Sequence, residues 1–321
     1  MRRLVFYALL STLISVWGCR KDVETFRPYG SSIADIDLLL GQLPDASSVT
    51  VFNFPAGLAT DSVLSTANGI RVHLTDVDQL FVRAGDGASV ALSNCGAIQI
   101  EVTEAFRPSD ILGRKLSTAT TSQTLLESGG IVRVRAFCSG QALELAPDRT
   151  LKIQITTAQD ALQPDMKVYN AVFNPDQSFA GWTDSGQEVY WAGWPTPQGQ
   201  KVGYELIVEN LGWVNCGKGI DEQSTAFCVT LPIAYDIENT QVFAVFKGRR
   251  TVHAMVYDDV REAFCLPDAP IGYLVQVVTV SKAGNRYWLG SKETEIGNNA
   301  TISFSPEETT QDAVLAFLKS L

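Results

Sequence analysis

The sequence predicts an all-β fold of two β-sandwich modules with a C-terminal helix. Three observations carry this. Short runs of alternating apolar and polar residues recur from about residue 48 onward, the period of strands with one wet face. Turn signals such as Asn68-Gly69, Gly129-Gly130 and Pro147-Asp148 separate them, as in sandwiches and barrels. The 321 residues, 45% apolar and 19% charged, suffice for about two packed domains.

The chain opens with Arg2 and Arg3, then the uncharged stretch Leu4 to Trp17, Gly18 and Cys19. A spanning helix takes roughly 20 apolar residues. The shorter run reads as a secretory signal over residues 1–18. Val16-Trp17-Gly18-Cys19 resembles the lipobox of bacterial lipoproteins, departing from it at Val16, where Leu is usual, and at Trp17, where a small residue is usual. The resemblance implies a diacylglycerol thioether on Cys19, cleavage before it and a membrane anchor through lipid. Arg20 in place of Asp implies sorting to the outer membrane, on either its periplasmic or its surface side. The charged run Arg20 to Glu24 is read as a weak surface-export signal or as a solvated tether. Residues 19–47 form the tether, with a helical turn at Ile33 to Leu40.

Residues 48–160 read as the first module. Val49, Val51, Phe52 and Phe54 change alternation phase, which suggests a bulge or a strand buried on both faces. Ile70 to Leu74, Ile98 to Val102, Val132 to Ala136, Leu143 to Leu145 and Leu151 to Ile155 alternate cleanly. Ser109 is read as the cap of a helical turn from Asp110 to Leu116. Residues 161–210 carry many aromatics among Gly, Pro, Asp and Gln, and read as loops and edge strands connecting two modules. Residues 211–321 read as a second, Ig-like β module. Its strands are Ala226 to Ala234, Gln241 to Lys247, Thr251 to Tyr257, Tyr273 to Lys282 and Tyr287 to Gly290, with a short one at Ile302 and Phe304. Ser305-Pro306-Glu307-Glu308 reads as a capping box opening a helix over 306–319.

Three stretches carry a resemblance. Ile98 to Ile155 contains Glu101-Val102-Thr103-Glu104-Ala105-Phe106 and Leu125-Leu126-Glu127-Ser128-Gly129-Gly130. Leu211-Gly212-Trp213-Val214-Asn215-Cys216 and Pro270-Ile271-Gly272 follow. In this order they resemble a group of uncharacterised exported lipoproteins of Bacteroidota, and the first is distantly similar to the ZU5-type β-sandwich. The resemblance implies a ZU5-like first module and an envelope location, and no activity. Gly217-Lys218 stand where that family has an acidic-basic pair after the cysteine, which argues against a charged site at this corner. Asp61-Ser62-Val63 matches the short O-glycosylation motif of exported proteins in that phylum.

Function classes narrow from composition. Net charge −10 opposes bulk electrostatic binding to nucleic acid. The two histidines, His73 and His253, leave little for a relay or a His-rich metal site and read as exposed or edge residues. Neither a G-x-S-x-G elbow nor H-E-x-x-H occurs. No metal and no cofactor is expected. Asp76 with Asp78 and Asp258 with Asp259 are the acid pairs a carboxylate hydrolase would draw on. Asp76-Val77-Asp78 and Gly85-Asp86-Gly87 offer oxygens to Ca²⁺ without an EF-hand pattern. With Cys19 lipidated, five cysteines remain. Cys216 and Cys228 are close enough in sequence to close a small loop, and Cys95 with Cys138 would staple one module if their strands are neighbours. Trp182, Tyr190, Trp191 and Trp194 cluster within 13 residues. They read as a plug between the modules, as a protein-partner surface or as a glycan platform. The expectation is a non-enzymatic, lipid-anchored envelope protein with a binding or structural role. The alternatives are a glycan-binding surface lipoprotein using the Trp182–Trp194 loops and a carboxylate hydrolase.

Overall fold

The computed structural model describes residues 33–55, 61–85, 87–88, 90, 95–197 and 199–321. The signal sequence, Cys19, the run 20–24 and Asp86 lie outside the described residues. The strands in the first half are β1 (Val49–Pro55), β2 (Ser62–Ser65), β3 (Ile70–Leu74), β4 (Phe81–Arg83), β5 (Ala97–Ala105), β6 (Leu126–Cys138), β7 (Gln141–Leu145) and β8 (Leu151–Thr157). Then come β9 (Lys167–Phe173), β10 (Phe179–Glu188), β11 (Tyr190–Thr196), β12 (Gly199–Val208) and β13 (Gly212–Gly219). The rest are β14 (Ser224–Thr230), β15 (Thr240–Phe246), β16 (Thr251–Ala254), β17 (Val256–Asp258), β18 (Ala263–Pro270), β19 (Leu274–Ala283), β20 (Arg286–Glu295), β21 (Thr301–Ser303) and β22 (Glu307–Thr309). Helices are α1 (Ile33–Leu40), α2 (Val77–Leu80), α3 (Pro108–Gly113) and α4 (Gln311–Lys319).

The protein is all-β, as the alternation predicts. One sheet runs β1-β5-β6-β13-β9-β10, with β7 and β4 extending from β6, and a second runs β11-β12-β8-β3-β2. They share a core that includes Ile100, Val102, Val132, Ile153, Leu206 and Val214. A third sheet, β17-β18-β14-β21, and a fourth, β16-β15-β19-β20-β22, enclose Phe227, Val242, Phe246, Leu266 and Val277. Between the sandwiches lies a separate apolar layer. Here α1, α3, α4, Leu126, Ile131 and Trp182 meet Phe243, Val245, Val278 and Val280 of the fourth sheet. β15 and β19 are therefore buried on both faces, which explains their near-continuous apolar runs.

Residues 161–210 include the expected edge strands, β10 and β11, but they do not form a connecting region of loops. They are strands β9 to β12 and belong to both sheets of the first sandwich. β13, expected in the second module, sits between β6 and β9. Close strand contact accounts for the loop-like composition. A Cβ on Gly203 would fall 2.0 Å from the Ile155 carbonyl oxygen, so this strand position demands glycine. β1 contains no bulge. It pairs regularly with β5 as an edge strand, which leaves Val49 and Val51 outward and exposed. The C-terminal helix starts at Gln311, not at 306. Thr310 Oγ1 accepts the Ala313 N–H at 3.2 Å as its cap, and Glu307–Thr309 pairs with β20. The helical turn after residue 106 begins with Pro108, and Asp110 accepts the Arg107 N–H at 3.3 Å. Ser109 does not cap it.

The cysteine pairing also differs in part. Cys95 joins Cys138, because β5 and β6 are neighbours in register. Cys228 joins Cys265, not Cys216. Cys228 and Cys265 stand opposite each other on β14 and β18, whereas Cys216 is on β13 of the first sandwich and is a buried free thiol. Non-reducing peptide mapping should recover Cys95 linked to Cys138 and Cys228 linked to Cys265. Cys216 should alkylate only after unfolding. Each disulfide removed as a Ser pair should cost about 2–4 kcal/mol in urea titration. A peptide linking Cys216 to Cys228 would contradict the assignment.

Candidate functional site

The structure does not bring the four aromatic residues together. Trp182 lies on β10 with 0% exposure, inside the layer between the sandwiches. Its Nε1 donates to the Ser117 carbonyl at 2.6 Å, and its ring stands edge-on to Phe179. It is the plug that one sequence reading expected. Trp194 lies on β11 but is also buried. Arg71 covers its ring at 5.6 Å. Tyr190 and Trp191 remain 56% and 59% exposed. They are adjacent on a strand, so they point to opposite faces, and Trp191 Nε1 donates to the Gln163 carbonyl at 3.3 Å. A single flat platform built from all four is thus corrected. Only Tyr190 and Trp191 are surface aromatics of that group.

The histidines diverge as well. His73 is half-buried, with Nε2 3.0 Å from Gln154 Oε1. His253 sits on edge strand β16, in line with the edge reading, and its side chain is buried, which rules out the exposed one. β16 lies over the second sandwich, opposite Ala244 of β15, which turns His253 inward. Its Nδ1 has no hydrogen-bond partner. Burial pulls its pKa down to about 4. It lines a hollow of about 510 Å³ with Phe179, Phe243, Met255, Tyr257 and Phe264.

The acid pairs named from the sequence lie at element ends, Asp76 and Asp78 at the start of α2 and Asp258 and Asp259 at the end of β17. Asp76 is exposed and pairs with Arg149 at 3.2 Å. Asp258 pairs with Arg261, whose backbone N–H and guanidinium hold the carboxyl below the usual carboxylate range. The side chain of Asp78 lies outside the described residues. Among the described residues no group of three or more His, Cys, Asp or Glu side chains is placed to hold a metal ion. Two acids that the sequence reading passed over, Glu104 and Asp110, are buried and line one hollow of about 290 Å³. Asp110 is neutralised by Arg107 at 2.9 Å. Glu104 accepts the Thr66 hydroxyl, and its Oε2 is unpartnered.

The most built site is one the sequence marked without explaining. The strings Leu125 to Gly130 and Leu211 to Cys216 run into neighbouring strands β6 and β13 and meet in register at Cys216 opposite Gly130. Ser128 Oγ donates to Asn215 Oδ1 at 2.6 Å. Glu127 accepts an ion pair from Arg249, whose guanidinium stacks 4.4 Å from the Tyr273 ring centre. Arg250 Nη1 donates to the Gly129 carbonyl at 2.6 Å. Gly129 is required here, because a Cβ would sit 2.8 Å from the Tyr204 ring and 3.1 Å from Cys216 Sγ. Tyr204 Oη accepts the Gln163 N–H at 2.6 Å. Of these, Glu127, Ser128, Gly129, Tyr204, Arg249 and Arg250 line a cleft of about 650 Å³ between the sandwiches. Burial lowers the Arg250 pKa and raises those of Tyr204 and the Cys216 thiol, so the thiol is not poised as a nucleophile. The corner expected to lack charge is a charged one. Its arginines come from the turn after β15, more than 30 residues from either string, which no local pattern reveals.

No protein-family model matches this chain, and no curated protein matches its sequence. The function is therefore reasoned from the sites themselves.

His253 supplies a pH test. Its folded pKa of about 4 lies below the ordinary 6.5, so the unfolded chain binds the extra proton between those values. Its contribution to stability is full above pH 6.5 and falls as pH drops toward 4. The total is on the order of 3 kcal/mol. Urea titrations from pH 7 to 4 should show this slope in the wild type and a flatter one in His253→Leu. Equal slopes would show that His253 is not buried as a neutral ring.

Proposed function

We propose that this chain is an exported, lipid-anchored cell-envelope protein with a binding or structural role and no catalytic activity. The observation that carries the location is the pair of disulfides, one in each sandwich. Such bonds persist in oxidising compartments and are rare in reducing ones. The Val16 to Cys19 lipobox resemblance supplies the anchor, and two or more acyl chains hold a protein firmly to a bilayer. Among the described residues no helix is long and apolar enough to cross a membrane, which accords with attachment through lipid. The outer membrane is the proposed address. For binding, the support is a deep cleft between two fixed sandwiches, the position where ligand sites commonly form. The exposed Tyr190 and Trp191 favour a narrower second reading, contact with a glycan or protein partner along the β11 edge.

Metabolic labelling tests the anchor. Radiolabelled palmitate should mark the wild-type chain and leave Cys19→Ala unlabelled. Label retained in Cys19→Ala would overturn the lipoprotein assignment.

A further inference from the structure

Arg250 poses a charge problem. It is partly buried at the wall of the cleft between the sandwiches. No carboxylate lies within ion-pair distance of it among the described residues. Its neighbours are already committed, Arg249 to Glu127 and Lys247 to Glu293 at 3.4 Å. Asp160 and Leu321 also line the cleft, and neither makes an ion pair with Arg250. A guanidinium has five N–H donors, and only the Gly129 carbonyl takes one at hydrogen-bond distance. None of its other nitrogens is a buried atom without a partner, and the residue lines the cleft. Removing a charge from water without a counter-ion is costly, and the chain as a whole carries net charge −10. One face of the guanidinium lies 5.7 Å from the Phe106 ring centre, a cation–π contact that supplies no counter-charge, so a guanidinium without an anionic partner in a concave site is a counter-ion site.

The surroundings define what fits. Lys247 and Arg249 stand at the same wall, each paired with a glutamate, which leaves Arg250 as the cation there without a carboxylate partner, and Val245, Phe246 and Met166 add apolar lining. An arginine fork takes carboxylate or phosphate oxygens in pairs. We propose that this cleft binds a small molecule carrying an oxyanion, carboxylate or phosphate, held by Arg250 with its body along the apolar lining. This inference deepens the binding role proposed above and rests on it. It does not depend on acylation of Cys19, so the palmitate result and the binding result can fail separately.

Calorimetric titration of the purified full-length chain, at fixed ionic strength, tests it with inorganic phosphate in one arm and acetate in the other. Saturable binding in at least one arm is expected, and the arm that binds identifies the oxyanion. Arg250→Gln should weaken it by about tenfold or more, the loss expected of a charged hydrogen-bonded contact. Arg250→Lys, which keeps the charge and loses the fork, should fall between wild type and Arg250→Gln. Arg261→Gln, on a turn outside the cleft, should bind as wild type does. If Arg250→Gln fails to fold, the Arg250→Lys comparison decides. No saturable binding in either arm, or binding indifferent to the Arg250 changes, would overturn the proposal.

Discussion

The relation between the two sandwiches rests on one buried crossing at Thr118. Its N–H donates to the Val252 carbonyl at 2.8 Å, and its hydroxyl accepts the Val252 N–H at 2.8 Å. Its own carbonyl takes the Leu126 N–H at 2.7 Å. Thr251 Oγ1 then donates to the Leu126 carbonyl at 2.9 Å. Thr118 and Thr251 are fully buried, so breaking this set would strand polar groups away from water, at a cost of about 1–3 kcal/mol for each. Edge strand β16 of the second sandwich is thereby tied to the start of β6 in the first. The apolar layer around Trp182 closes over the crossing on one side.

The cleft follows from that tie. Arg249 and Arg250 directly precede Thr251. Pinning Thr251 to Leu126 brings both arginines against Glu127 and Gly129, the next residues along β6. Glycine at 129 lets the carbonyl approach Arg250 with Tyr204 packed behind it. The charged wall is thus a consequence of how the sandwiches dock, and neither sandwich contains it alone.

Much of the fold was legible in local sequence. The clean alternation in β3, β5, β6 and β8 is what half-buried strands must show. Most of α4 was visible from its apolar spacing, whereas α1 was read only as a helical turn in a tether and is packed into the layer between the sandwiches. The rest depends on partners distant in sequence. β9 to β12 read as loops and edge strands between modules because their strand positions are filled by glycine and aromatics, whose role is set by the strand alongside. The Cys228–Cys265 bond requires knowing that β14 and β18 are neighbours. His253 read as an exposed or edge residue on its own strand and is covered by residues of other elements. The Leu125 to Gly130 and Leu211 to Cys216 strings stood out, yet the arginines that give them meaning come from another sandwich.

Native-state hydrogen exchange at the amides of Thr118, Leu126 and Val252 measures directly whether the Thr118–Val252 crossing holds the two sandwiches as one cooperative body. These amides should exchange only through global unfolding, with the same free energy as core amides of Ile153 in the first sandwich and Val277 in the second. Exchange at those three sites with markedly lower free energy, while both cores stay protected, would contradict it.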